Sequence, residues 1–210
     1  MLHDVSDAAG APAVGQVSDR LLDAAMAVLA DDGWDGLSLQ SVAERAGLSR
    51  VTAWRQAASK DHIVDALLAR LAADYRDALW PILTAPGTGA ERLERTLDAV
   101  CDVADRHLPL LLASDTAFHR AAEGISPPFS FTEPLTRLIR DGVADRSLAP
   151  SEDCETTGDV VFNAVCWPYV HLRGRHGWTP ARARGLLIRL IMTGLRDGPG
   201  PRGTGPDDSS

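Results

Sequence analysis

Long apolar runs are missing from this chain of 210 residues. None approaches the roughly 18 residues a bilayer demands. The best stretch, 160–172, is interrupted by Asn163 and Pro168, so no membrane-spanning helix is expected. The opening MLHDVSDAAGAPAVG has neither a basic start nor a sustained apolar stretch. It does not read as a signal peptide, and a cytoplasmic location is the expectation. Cysteine is scarce: Cys101, Cys154 and Cys166 are an odd number without a Cys-x-x-Cys pair. They read as reduced, mostly buried thiols rather than a disulfide framework. Strand-like alternation and internal repeats are absent. So are the Gly-x-Gly-x-x-Gly, phosphate-loop, Gly-x-Ser-x-Gly and His-Glu-x-x-His motifs, so no enzyme and no cofactor are expected. His171 and His176 lie five apart with Arg173 and Arg175 between them, a spacing and charge that oppose a shared metal. His107, His119 and Cys101 are too far apart in sequence to define a metal site.

What is present is a helical pattern. Hydrophobic residues make up 45% of the chain, enough for a core. Residues 1–17, with Gly10, Pro12 and Gly15, and residues 198–210, GPGPRGTGPDDSS, read as disordered tails. Between them nearly every segment has helical spacing. The expected fold class is all-α, with a helix-turn-helix domain at 18–63 and a larger helical domain at 64–197.

Ser18 stands where an N-cap belongs, and Leu21, Leu22, Ala25, Met26 and Leu29 share one face up to a break at Asp31-Asp32-Gly33. Ser38 can cap a short second helix whose apolar positions Leu39, Val42, Ala43 and Ala46 make one stripe. Gly47 permits a tight turn, Leu48 can plug the corner, and Ser49 can cap a third helix from Arg50 to about Ala57. Ser59 can cap a fourth, with Ile63, Leu67, Leu68 and Leu71 inward, running towards Trp80-Pro81. After the break Thr84-Ala-Pro-Gly-Thr-Gly89, helices are expected near 90–107, 110–123, 132–146, 152–176 with a bend at Pro168, and 180–196; 126–130 reads as a loop.

Helix, glycine turn and helix at 38–57 can lay a second helix across the first, free to enter a major groove. From Arg45 to Lys60 the chain carries four cations, Arg45, Arg50, Arg55 and Lys60, and no acid. Net charge is −8, and over 18–62 five cations face seven acids. Any contact with phosphates therefore has to come from a narrow ridge, and to be salt-sensitive.

In these residues the sequence resembles the TetR family of bacterial transcriptional regulators. The matching positions are Arg20-Leu21-Leu22-Asp23-Ala24-Ala25, Gly33, the run from Ser38 to Ser49, Thr52, Trp54 and Ser59-Lys60-Asp61. The resemblance covers roughly 18–65, and as a linked set it is specific. It implies that Arg50, Val51 and Arg55 face base edges, with Gln40 reaching in from the helix before. It implies backbone contacts from Thr52, Trp54, Gln56 and Lys60. Arginine can bond guanine bidentately and glutamine can read adenine. Arg45 reads as a solvated surface charge. Trp54 stands where tyrosine is usual and Gln56 where histidine or another aromatic is common. Ala53 and Ala57 replace larger apolar anchors, so Trp54 has two readings: a DNA contact, or an inward plug that fills the gap.

The resemblance further implies a repressor that leaves a palindromic double-stranded operator when a small effector binds. The fourth helix is the natural lever, because half-sites of a dimer lie about 34–36 Å apart. Candidate effector-lining residues are Trp80, Cys101, Phe118, His119, Phe129, Phe131, Phe162, Asn163, Cys166, Trp167 and Tyr169, which join apolar bulk to a few polar handles. Homodimerisation is expected through the last two helices, where Leu186, Leu187, Leu190, Ile191 and Leu195 follow Val160, Val161, Val165 and Val170. The alternative is a helical ligand-binding or interaction protein in which 38–57 only packs.

Overall fold

The computed structural model describes residues 16–113 and 131–197. All regular structure among them is helical: α1 (Asp19–Gly36), α2 (Leu39–Ala46), α3 (Arg50–Gln56), α4 (Lys60–Leu83), α5 (Gly89–Arg106), α6 (Glu133–Ala144), α7 (Cys154–Gly174) and α8 (Pro180–Asp197). Residues 108–113 are also helical; the rest of the helix expected at 110–123, and the loop at 126–130, lie outside the described residues. The chain divides into two compact units, with the boundary after Leu68, inside α4.

The first unit is built by local rules. Ser38 caps α2: its Oγ accepts from Ser41 N at 3.1 Å, while Ser41 Oγ accepts from Ser38 N at 3.0 Å. Val42, Ala43 and Ala46 are buried in a continuous stripe. Gly47 then takes φ 61°, a left-handed conformation that suits glycine. Its N–H bonds Glu44 O, and Leu48 N bonds Ala43 O at 2.9 Å, which closes the helix end as a Schellman motif. Ser49 and Ser59 cap α3 and α4 by accepting from Thr52 N and His62 N. Of the inward set expected on α1, Leu21, Leu22, Ala25 and Leu29 are buried, whereas Met26 is half-buried and Val28 takes its place. Gly33, at φ 67°, breaks that helix near its end.

Ser18 departs from expectation. It occupies the N-cap of α1 but its side chain caps nothing. Its Oγ instead donates to Gln56 Oε1 at 2.6 Å, joined by its backbone N–H at 3.2 Å. The start of α1 is thereby tied to the end of α3.

In the second unit α5, α6, α7 and α8 enclose a core of Leu93, Leu97, Leu135, Leu138, Ile139, Val161, Val165, Tyr169, Ile188 and Met192. The start of α5 is held twice. Thr88 and Glu91 form a capping box, and Asp145 and Ser147 accept from Gly89 N at 2.6 Å and Ala90 N at 3.0 Å. That approach needs glycine, since a Cβ at Gly89 would overlap the backbone of Gly142. Asp153 caps α7, which runs from Cys154 to Gly174 as one helix through Pro168. Gly89→Ala is expected to lower the unfolding free energy by about 1–3 kcal/mol, the usual penalty of overpacking, read as a lower midpoint in urea.

Candidate nucleic-acid interface

The two residues that seat α3 are its smallest. Ala53 and Ala57 are 0% exposed. Because they lie four apart, one side of this short helix faces the core of its unit and the other is turned to water. Arg50, Val51, Thr52, Trp54 and Arg55 are exposed. Trp54 is 53% exposed, so of its two readings the inward plug is not what the fold uses.

Thr52, Gln40, Gln56 and Lys60 are exposed or half-buried, and each has a polar group already engaged. Thr52 Oγ1 is 2.8 Å from Ser49 Oγ. Gln40 Nε2 donates to Glu44 Oε1 at 3.0 Å, and the amide oxygen of Gln56 is taken by Ser18. Lys60 is the most committed. Its Nζ donates to Trp34 O at 2.7 Å and lies 4.1 Å from the centroid of the Trp34 ring. Partial burial holds the ammonium pKa below the usual lysine value, against Asp35 and Asp61, which pull it up. A cation at the start of a helix opposes the helix dipole; here it closes the end of α1 instead. Arg45 is not simply solvated but pairs with Asp31 at 2.7 Å. Of the four cations, Arg50, Arg55 and Lys60 have no ion pair among the described residues, and only Arg50 and Arg55 have no other side-chain partner there.

The effector candidates separate in the second unit. Phe131 and Phe162 stack at 5.9 Å between ring centroids, and Tyr75 meets Phe131 edge-on at 5.0 Å. Tyr75 is outside the candidate set, although its place four residues after Leu71 and four before Leu79 puts it on the inner stripe of α4. Its hydroxyl donates to Phe131 O at 2.5 Å, and burial raises its pKa. Cys101, Cys166 and Tyr169 are also buried, and burial pushes both thiols up to about 12. Trp80 and Trp167 are 70% and 38% exposed. Asn163 is exposed too, donating to Asp159 O within its own helix. These three are not brought together with the buried aromatics. Phe118, His119 and Phe129 lie outside the described residues.

His107, not expected to bind a metal, has a different setting. It is 2% exposed, with Nε2 2.8 Å from Asp74 Oδ2, while Nδ1 has no partner among the described residues. Burial lowers its pKa; Asp74 opposes that, and Arg70 and Arg106 add to it. His171 and His176 approach to 5.1 Å between ring centroids, but no group of three metal-binding side chains occurs among the described residues.

A capped three-helix module that turns two unpaired arginines outward, followed in the chain by a larger helical unit, defines a helix-turn-helix regulator of transcription. Residues 21–67 match the family model described as bacterial regulatory proteins, tetR family. The HTH-type transcriptional regulator BetI of Rhizobium meliloti (strain 1021) is 29% identical over 149 residues, 69% of this chain and 73% of that protein. Among solved structures, the TetR family transcriptional regulator PfmR of Thermus thermophilus superposes with a TM-score of 0.67 at 20% identity, over 85% of this chain and 98% of that one. The ketosteroid transcriptional regulator KstR2 of Mycobacterium tuberculosis gives 0.62 at 21% identity, over 87% and 98%. Over residues 21–67 the chain is thus similar to the TetR family of bacterial transcriptional regulators, and its activity is DNA binding in control of transcription. Among the described residues, no helix is long and apolar enough to cross a membrane.

Lys60→Met should cost about 1–2 kcal/mol of stability, the worth of a charge-assisted hydrogen bond and a ring contact. The salt slope of its DNA binding should stay unchanged, whereas a lost phosphate contact would lower that slope by about 0.9. His107 should make stability depend on pH. Its folded pKa lies below the unfolded value of about 6.5, so protons favour the unfolded chain. Its contribution is complete above that value and is lost as pH falls towards the folded pKa. The melting temperature should drop between pH 7.5 and 5.5, and His107→Gln, measured by circular dichroism, should flatten that drop.

Proposed function

We propose that the chain is a homodimeric repressor that grips a palindromic operator through the exposed face of α3 and is released by a small, largely apolar effector. One observation carries the operator reading: Arg50, Val51, Trp54 and Arg55 are exposed on α3 while Ala53 and Ala57 seat it. Arg50 and Arg55 take the base edges with Val51. Trp54 packs against them, and Thr52, Gln56, Gln40 and Lys60 serve chiefly to hold the module in shape.

Dimerisation through α7 and α8 is supported by apolar surface left without cover. Val160, Trp167, Leu186 and Leu190 are exposed, and a groove of about 290 Å³ runs between Val160 on one helix and Leu190 and Leu195 on the other. Of the valines expected on that surface, Val161, Val165 and Val170 are buried in the core of the subunit, so the interface narrows to α8 and the Val160–Trp167 side of α7. The effector reading draws on the aromatic group of Tyr75, Phe131 and Phe162, and on KstR2, a ketosteroid regulator of the same fold. A ligand acts by binding one arrangement of the dimer better than the other.

The test is a gel shift on DNA flanking the chain's own gene, with mass by light scattering on the same complex. Two chains per site are expected, with affinity falling steeply as salt rises. Arg50→Ala should lose about tenfold or more, as one bidentate base contact is worth about 1–3 kcal/mol. Unchanged affinity and base preference in that variant would remove the operator reading.

A further inference from the structure

Both large hydrophobic side chains that the first unit exposes, among the described residues, are on α3: Val51 at 63% and Trp54 at 53%. Three residues apart, they share a face of that helix. Neither is needed to seat it, since Ala53 and Ala57 do that. Arg50 and Arg55 flank them in sequence and have no ion pair among the described residues. The surface that matches this face must carry negative charge and, within it, small apolar projections. Valine offers only methyl groups. Tryptophan offers a broad apolar ring with one N–H donor and no acceptor. Neither can satisfy the two-way hydrogen-bond pattern of a base pair. In the major groove the apolar feature is the 5-methyl group of thymine.

We propose that Val51 and Trp54 read thymine 5-methyl groups, and that this apolar contact sets part of the operator preference alongside Arg50 and Arg55. The inference rests on the DNA-binding reading above and adds the chemistry of what is read. It also fixes a spacing. Side chains three apart on a helix have Cβ atoms about 5–6 Å apart, and base pairs rise about 3.4 Å per step. The two methyl groups therefore lie one to two base-pair steps apart in each half-site, on either strand. An acidic protein surface is the competing occupant; it would meet the arginines but has no reason to present methyl groups at that spacing.

The experiment selects duplexes from a random-sequence pool with the full-length protein, then remakes the selected site with deoxyuridine in place of each thymidine. Only the methyl group is lost. The wild-type protein should lose about fourfold in affinity per methyl read, the worth of one buried carbon group. Val51→Ala and Trp54→Ala should each bind the thymine site more weakly and become indifferent to uracil at one position. Arg50→Ala should keep its full sensitivity to uracil. Both alanine variants alter exposed side chains, and unchanged helical circular dichroism checks that they fold. Equal binding of the uracil and thymine duplexes by wild type would overturn the proposal while leaving DNA binding intact. So would alanine variants that keep the wild-type response. A pool with no enriched sequence would overturn the DNA reading itself, and this inference with it.

Discussion

The burial of two alanines organises the DNA-reading module. A larger residue at either position would lift α3 from its seat or force a neighbour aside, because packed interiors have little free volume. With Ala53 and Ala57 closed against the core of the unit, the remaining side chains divide. Those at the ends of the helix bond back into the module: Ser49 to Thr52, Gln56 to Ser18. Arg50 and Arg55 have no ion pair among the described residues. Lys60 and Trp34 complete the arrangement by joining the end of α1 to the start of α4.

Much of this unit was legible in the sequence because it rests on short-range rules. The stripe Val42, Ala43 and Ala46, the caps of Ser38, Ser49 and Ser59 and the left-handed glycine each depend on neighbours within five residues, and each is present, whereas the cap expected of Ser18 is not. What could not be read were contacts across the fold. Lys60 and Trp34 are 26 residues apart, Ser18 and Gln56 38 apart. No spacing rule links them. The resemblance implies a backbone contact for Lys60, and only tertiary placement shows that one of its N–H donors already bonds Trp34 O.

In the second unit the sequence was less informative for a different reason. The segment from Val160 to Trp167 is apolar almost all round, so its periodicity does not say which side faces in. The fold turns Val161, Val165 and Tyr169 inward and leaves Val160, Asn163 and Trp167 outward. Asn163, the one polar residue in the run, marks the outer side. Taken as a buried polar group it suggests a ligand partner; on the surface it needs none beyond its own helix. The aromatic group that does form depends on Tyr75 from α4 meeting Phe131 and Phe162, an association no local pattern announces.

The split between committed and uncommitted side chains on α3 bears on how such a regulator changes over generations. The side chains of Arg50, Val51, Trp54 and Arg55 make none of the module's bonds among the described residues, so exchanging them costs the scaffold little. Thr52, Gln56 and Lys60 are not free in this way, since each secures a joint. The first set can therefore change while the second keeps the module rigid.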